Sequence, residues 1–180
     1  MRVIREKTAA MIIDIQEKFI PHMFYNHKLI ENMEKLVRGL KILDIPMIMT
    51  EQYKKGLGET IEPVRAVLEE VEAREKMTFS CCDADHIAEE VEGMGKKFVI
   101  LAGIESHICV MQTAVDLLGK GYIPVVVEDC ISSRKENDKN VAVERMRQEG
   151  AIITTYESIL FELCRDARSS EFKGISQLVK

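Results

Sequence analysis

With 180 residues, 46% of them hydrophobic and 31% charged, the chain has a globular composition and the length for one domain, 1–180, with a full core. A net charge of −5, with Lys and Arg interspersed among Asp and Glu, leaves no basic stripe for nucleic acid. No apolar run approaches the ~18 residues that span a bilayer, so neither a nucleic-acid nor a membrane partner is expected. The N-terminal MRVIREKTAAMIID has no h-region or small-residue cleavage site, which makes the cytoplasm the expected compartment.

The first apolar run, TAAMII at 8–13, reads as a strand ending at Asp14. Leu29, Ile30, Met33, Leu36, Val37, Leu40 and Leu43 recur at three and four and predict an amphipathic helix. After Pro46 a short run, MIM, predicts a second strand, and the loop EQYKKGLGETIEP follows with Gly56 and Gly58 suited to turns. A helix is expected over 63–71 and a short extended piece ending near Lys76. Ala84, Ile87, Ala88, Val91 and Met94 mark another helix, with Asp83 as candidate N-cap and Asp85 in its first turn. FVILAG at 98–103 is a solidly apolar strand, followed by a helical stripe through Val110, Ala114 and Leu118. YIPVVVED at 122–129 predicts a strand with Pro124 near its start, then a helix over 137–149, a strand in AIITT and a helix over 155–163. Apolar strands alternating with amphipathic helices imply a three-layer α/β/α Rossmann-like sandwich around a parallel sheet of about six strands.

Open α/β sheets bind ligands at the carboxyl ends of their strands. Those ends carry Asp14, then Glu51, Gln52 and Tyr53, then Lys76, Cys109 and Asp129. An acid, a base and a thiol on one edge suit nucleophilic catalysis, in which a helix N-terminus and Lys76 favour the Cys109 thiolate, Asp14 carries the proton and backbone N–H groups at 105–109 hold an oxyanion. Each residue also has a plainer use: Asp14 as a cap, Lys76 as a solvated charge, Cys109 as a small buried hydrophobe. His107 is an alternative base, with a turn position as its simpler explanation.

Other motifs fail on chemistry. GMGKKF lacks the first glycine and the final Ser or Thr of a phosphate loop, and GLGETI lacks the third glycine of a dinucleotide turn. Five cysteines at irregular spacing, without CxxC, form no disulfide framework. Cys82 and His86 make at most half of a zinc site, and no second pair completes it, so neither metal nor cofactor is expected.

Four segments together, AAMIIDIQEKF, TEQYKKGLGET, EKMTFS and GIESHICVMQTAVDLL, resemble the isochorismatase-like cysteine hydrolase superfamily over nearly the whole chain, in particular the isochorismatase-domain-containing proteins. The resemblance implies strand order 3-2-1-4-5-6 and an Asp14–Lys76–Cys109 triad. It also implies a cis peptide at Ile104–Glu105 that turns the Glu105 N–H, beside that of Cys109, into an oxyanion hole. The Asp-x-His…His metal site of the superfamily's nicotinamidases is missing here, and Cys109 is present where isochorismate-cleaving members generally lack the thiol. The expected activity is therefore hydrolysis of a small amide-like C–N bond through an acyl-enzyme. A catalytically silent binding or scaffold protein is the alternative. Phe19, Gln52, Tyr53 and Ile131 are expected to line the pocket. A homo-oligomer is implied as well; Ile159, Leu160 and Leu163 offer it an apolar face, although core packing is their simpler use.

Overall fold

The computed structural model describes residues 1–180. In chain order the strands and α-helices are β1 (Thr8–Ile13), α1 (Asn26–Ile42), β2 (Met47–Gln52), α2 (Lys54–Leu57), α3 (Glu62–Val67), β3 (Ala73–Lys76) and α4 (Asp85–Gly93). They continue as β4 (Phe98–Ile104), α5 (Met111–Gly119), β5 (Ile123–Ser132), α6 (Glu136–Glu149), β6 (Ile152–Thr154), α7 (Tyr156–Cys164) and α8 (Phe172–Leu178). All six strands pair in parallel, in the order β3-β2-β1-β4-β5-β6. No helix is long and apolar enough to cross a membrane.

Side chains alternate across a strand, so a strand covered on both faces must be apolar at every position. In β1, Ala10 and Ile12 enter one core cluster with α1, α3, α7 and α8, while Met11 and Ile13 enter another with α4, α5 and α6. In β4, Ile100 and Ala102 face the first cluster and Val99 and Leu101 the second. Ile159, Leu160 and Leu163 of α7 lie in the first cluster, so their apolar face is spent inside the molecule.

Two features of β4 and β5 set up the edge where the candidate residues gather. Gly103 has φ +135°, and a Cβ there would collide with the backbone carbonyl of Ile13, so only glycine lets β4 lie this close beside Asp14. Gly103→Ala is expected to cost at least about 3 kcal/mol, from the strained φ and the backbone clash together. An unchanged midpoint in urea would contradict that account. Strand β5 runs beyond its expected end at Asp129: Leu101 pairs with Val126 but Gly103 with Ile131, so the ladder absorbs extra residues in a bulge before resuming. The extension carries Ile131, Ser132 and Ser133 to the turn that follows β4.

Local signals misled at the start of α4. Asp83 is not its N-cap: it ends a 3-10 turn, Cys81–Asp83, in which the Cys81 N–H donates to Thr113 Oγ1 at 2.9 Å and the Cys82 N–H to the Ser80 side chain at 3.2 Å. Ala84 stands at the cap position of α4.

Candidate active site

Strand β1 ends with Asp14 at φ +52°, a left-handed turn that aspartate tolerates better than most residues. Its N–H is held by the Thr50 carbonyl at 3.1 Å and its Oδ1 accepts from Thr50 Oγ1 at 2.7 Å. Its Oδ2 accepts from Lys76 Nζ at 2.8 Å. Lys76 ends β3, an edge strand, yet it is only 2% exposed and Asp14 0%, so the ion pair is fully desolvated. The ammonium also donates to Gln52 Oε1 at 2.7 Å and to the carbonyls of Thr78 and Phe79 at 3.1 and 3.2 Å. The chain beyond Lys76 therefore folds back over its charge, as a buried cation requires. Burial alone would lower the lysine pKa, but the charge of Asp14 outweighs it and the pKa is raised. The lysine is firmly protonated.

Cys109 lies 3.7 Å from the same Lys76 Nζ. It sits in one π-helical turn, Ser106–Val110, that links β4 to α5. Such a turn rarely persists without a use, and functional sites hold many of them. Here the N–H of Val110 reaches back to the Glu105 carbonyl at 3.2 Å. The Ile104–Glu105 peptide bond is cis, and the N–H of Glu105 meets no acceptor in the protein. The Glu105 carboxylate turns the other way and accepts from the N–H and Nε of Arg134, both at 3.1 Å. His107 Nδ1 lies 2.8 Å from Ser133 Oγ, which joins the nucleophile turn to the extension of β5 and leaves that nitrogen no part at the thiol.

The thiol differs from its expected state. Burial pushes the Cys109 pKa up, the charge of Asp14 adds to this, and the pull of Lys76 towards thiolate is smaller. Burial, reinforced by the Asp14 charge that offsets Lys76, thus favours the neutral thiol over the thiolate. Burial also raises Cys81 to about 12 and Cys82 to about 11. All five cysteines are free.

The remaining candidates divide. Gln52 is buried and spends its amide on the protein: Oε1 on Lys76, and Nε2 on the Met77 carbonyl at 2.9 Å. It holds the lysine in place. The ring of Tyr53 lies over Gly56 and is 45% exposed, so it covers the α2 turn. Ile131 belongs to β5, is 1% exposed and lies in the second core cluster, so it is packing rather than pocket lining. Phe19 lines an open cleft with Lys18, His22, Leu57 and Arg134. Asp129 accepts the N–H of Tyr156 at 2.8 Å and anchors the start of α7.

Thr50 and Gln16 were missed, and Glu51, placed at the strand end, turns out to serve the loop that follows. Gln16 Oε1 accepts the Gln52 N–H at 2.8 Å, and Glu51 Oε1 accepts the Thr60 N–H at 2.7 Å, which ties the loop after β2 to the sheet. The available signal was three consecutive polar residues, TEQ, ending a strand buried on both faces; buried polar groups need partners. His86, half of the rejected metal pair, meets the Glu75 carbonyl through Nε2 at 3.1 Å. No three His, Cys, Asp or Glu side chains cluster as metal ligands.

Residues 8–158 match the family model described as the isochorismatase domain. The chain is 38% identical over 185 aligned positions to isochorismatase family protein 1B of Dictyostelium discoideum, covering 99% of this chain and 89% of that protein. It is 36% identical to isochorismatase domain-containing protein 2A of Mus musculus, covering 99% and 85%. The solved structure of MAR1 ribonuclease from Caenorhabditis elegans superimposes with a TM-score of 0.93 at 36% identity, covering 99% of this chain and 92% of that one. The chain belongs to the isochorismatase family, and its sheet order is that of an isochorismatase-family hydrolase fold.

Proposed function

We propose that the protein is a cysteine hydrolase that cleaves a small amide-like C–N bond through an acyl-enzyme on Cys109. The observation that carries this is one buried ammonium, Lys76 Nζ, touching both Asp14 Oδ2 at 2.8 Å and Cys109 Sγ at 3.7 Å. A neutral thiol beside a carboxylate–ammonium pair is poised to lose its proton only as it attacks. The proton passes to Asp14 while Sγ bonds to the carbonyl carbon. The carbonyl oxygen takes up the electron pair and is held by the N–H groups of Glu105 and Cys109. Collapse expels the amine, which receives the proton back from Asp14. Water then attacks the thioester as Asp14 takes its proton, the C–S bond breaks to release the carboxylic acid, and Asp14 returns the proton to sulfur, which restores both thiol and carboxylate. Lys76 keeps its charge throughout and stabilises each anionic stage.

A panel of small amides, followed by amine release and by intact mass, tests the reading. Turnover and a thioester-sized adduct are expected in the wild type and neither in Cys109→Ala, while alanine at Cys81, Cys82, Cys130 or Cys164 retains both. Turnover that survives in Cys109→Ala would refute it. The name of the C. elegans relative favours a second reading, RNA cleavage. The acidic net charge and a thiol only 6% exposed count against it, since a polymer needs a cationic track and an open site. Cleavage of labelled RNA that persists after Cys109→Ala would establish that reading instead. Five free thiols fit a reducing compartment, so the cytoplasm belongs to this proposal, as does a homo-oligomer. A single-chain mass in light scattering would remove the oligomer.

A further inference from the structure

The end of β2, Thr50-Glu51-Gln52, is buried and polar, and alternation along the strand sends its side chains two ways. Thr50 and Gln52 turn to the site, where Thr50 Oγ1 donates to Asp14 Oδ1 and Gln52 Oε1 accepts from Lys76 Nζ at 2.7 Å. Glu51 turns the other way, to Thr60 and Lys54. Gln52 and Lys76 are register partners across the β2–β3 ladder, so the strand end delivers an uncharged amide, not a carboxylate, beside the buried ammonium. The amide cannot turn round. Its Nε2 donates to the Met77 carbonyl at 2.9 Å, and a flip would set an NH2 group against the ammonium. The Gln52 backbone is fixed as well: its N–H donates to Gln16 Oε1 at 2.8 Å, and its carbonyl accepts from Gln16 Nε2 at 3.0 Å.

The amide oxygen is as close to Lys76 Nζ as the Asp14 carboxylate, 2.8 Å away, and two further neutral oxygens come from Thr78 and Phe79. The ammonium therefore takes its position largely from neutral oxygens and its charge balance from Asp14 alone. This count matters for the thiol 3.7 Å from the same nitrogen. With the proton on sulfur, Asp14 and Lys76 sum to zero. With the proton moved to Asp14, Lys76 and the thiolate sum to zero. Negative charge changes sides of one ammonium, and no net charge is left in the interior, where it would be costly. A carboxylate at position 52 would break this balance, because the ammonium would face a second, permanent anion in both states.

We infer that Gln52 is a positioning residue whose neutrality matters as much as its reach: it holds Lys76 Nζ in place and leaves the charge of the ammonium to Asp14 and Cys109 alone. Only the consequence for turnover rests on the hydrolase reading; the effect on the thiol does not. The other titratable groups around Cys109 leave this balance untouched. Cys81, whose N–H is tied to Thr113 of α5, is pushed by burial to about 12 and stays neutral. His107 and Glu105, beside the thiol in sequence, are engaged by Ser133 and Arg134.

Iodoacetamide labelling of Cys109 at pH 8, followed by mass spectrometry, reads the thiolate fraction, since the thiolate is the nucleophile. Half-buried Cys82 in the same sample is the reference. Gln52→Glu is expected to slow Cys109 about tenfold or more, the effect of one added charge that the ammonium keeps ionised. Gln52→Met, similar in length and uncharged, is expected to leave the rate near that of wild type. Both variants lose the bond to the Met77 carbonyl and lower the urea midpoint, so stability does not separate them and the labelling rate does. Asp14→Asn/Gln52→Glu moves the single carboxylate from 14 to 52 and makes the cluster neutral again, which keeps the test open if Gln52→Glu alone fails to fold. That double variant is expected to label about tenfold slower than Asp14→Asn. A common rate for Gln52→Glu and Gln52→Met, or a double variant that labels as fast as Asp14→Asn, overturns the inference, because only the fit of the side chain would then matter. Amide turnover by the wild type together with unmoved labelling in Gln52→Glu removes the charge role and leaves the hydrolase reading. Failure of every amide, with the labelling as expected, does the reverse.

Discussion

Replacing Asp14 by asparagine is expected to lower amide turnover by about 10³-fold, within the usual range for a lost general acid–base, while making Cys109 easier to alkylate. The two effects have opposite signs because Asp14 acts on the thiol in two ways. As a base it takes the proton during attack, and an amide cannot. As a charge it opposes ionisation of a thiol that burial already disfavours, while Lys76 favours it. With asparagine at 14 the ammonium has no anionic partner but the sulfur 3.7 Å away, so the thiol ionises at lower pH. The pH profile of iodoacetamide labelling at Cys109 should move to lower pH as turnover disappears. Thr50 Oγ1 can still donate to the asparagine carbonyl oxygen, so the backbone turn should survive. If the labelling profile moved to higher pH, Asp14 would be sustaining the thiolate and the proposed resting state would be wrong.

Lys76→Met should be the most destabilising change at the site, costing about 3–5 kcal/mol, since removing one member of a buried ion pair strands the other. Asp14 would lose its cation and keep the Thr50 hydroxyl, and the carbonyls of Thr78 and Phe79 and the Gln52 amide oxygen would lose their shared partner. The Cys109 labelling profile should move to higher pH, opposite to Asp14→Asn, because the cation that favours thiolate is gone. The double variant Asp14→Asn/Lys76→Met should be more stable than Lys76→Met alone, since it leaves no unpaired charge in the interior. Urea denaturation of the four proteins measures the coupling, and simple additivity would show that the ion pair is not a unit. Lys76→Arg should not restore function, because a planar guanidinium cannot take the place of a compact ammonium among these acceptors.

Much of this molecule was legible from local pattern. TAAMII and FVILAG are apolar throughout because both faces of a parallel strand are covered, and β1 and β4 lie where those runs predict. The heptad-like stripe of α1 and the placement of Asp14, Lys76 and Cys109 at strand ends were equally readable. The 3-2-1-4-5-6 order came from the resemblance of four segments, not from periodicity. Boundaries were less visible: β2 runs on through Thr50, Glu51 and Gln52, whose polarity made it look finished, although tertiary partners satisfy each of them. The seven residues of α8 are too few to establish a period, and the bulge in β5 has no sequence marker. What the chain alone determined is which chemical groups arrive at the carboxyl edge of the sheet, because strand periodicity and hydrophobic pattern act over neighbouring residues. Only the tertiary structure decided their state. Whether Lys76 is solvated or buried, whether Cys109 rests as thiol or thiolate, and whether Gln52 faces substrate or lysine depend on desolvation and on partners 36 to 95 positions apart in sequence (Asp14 to Thr50 and to Cys109), which no local pattern records.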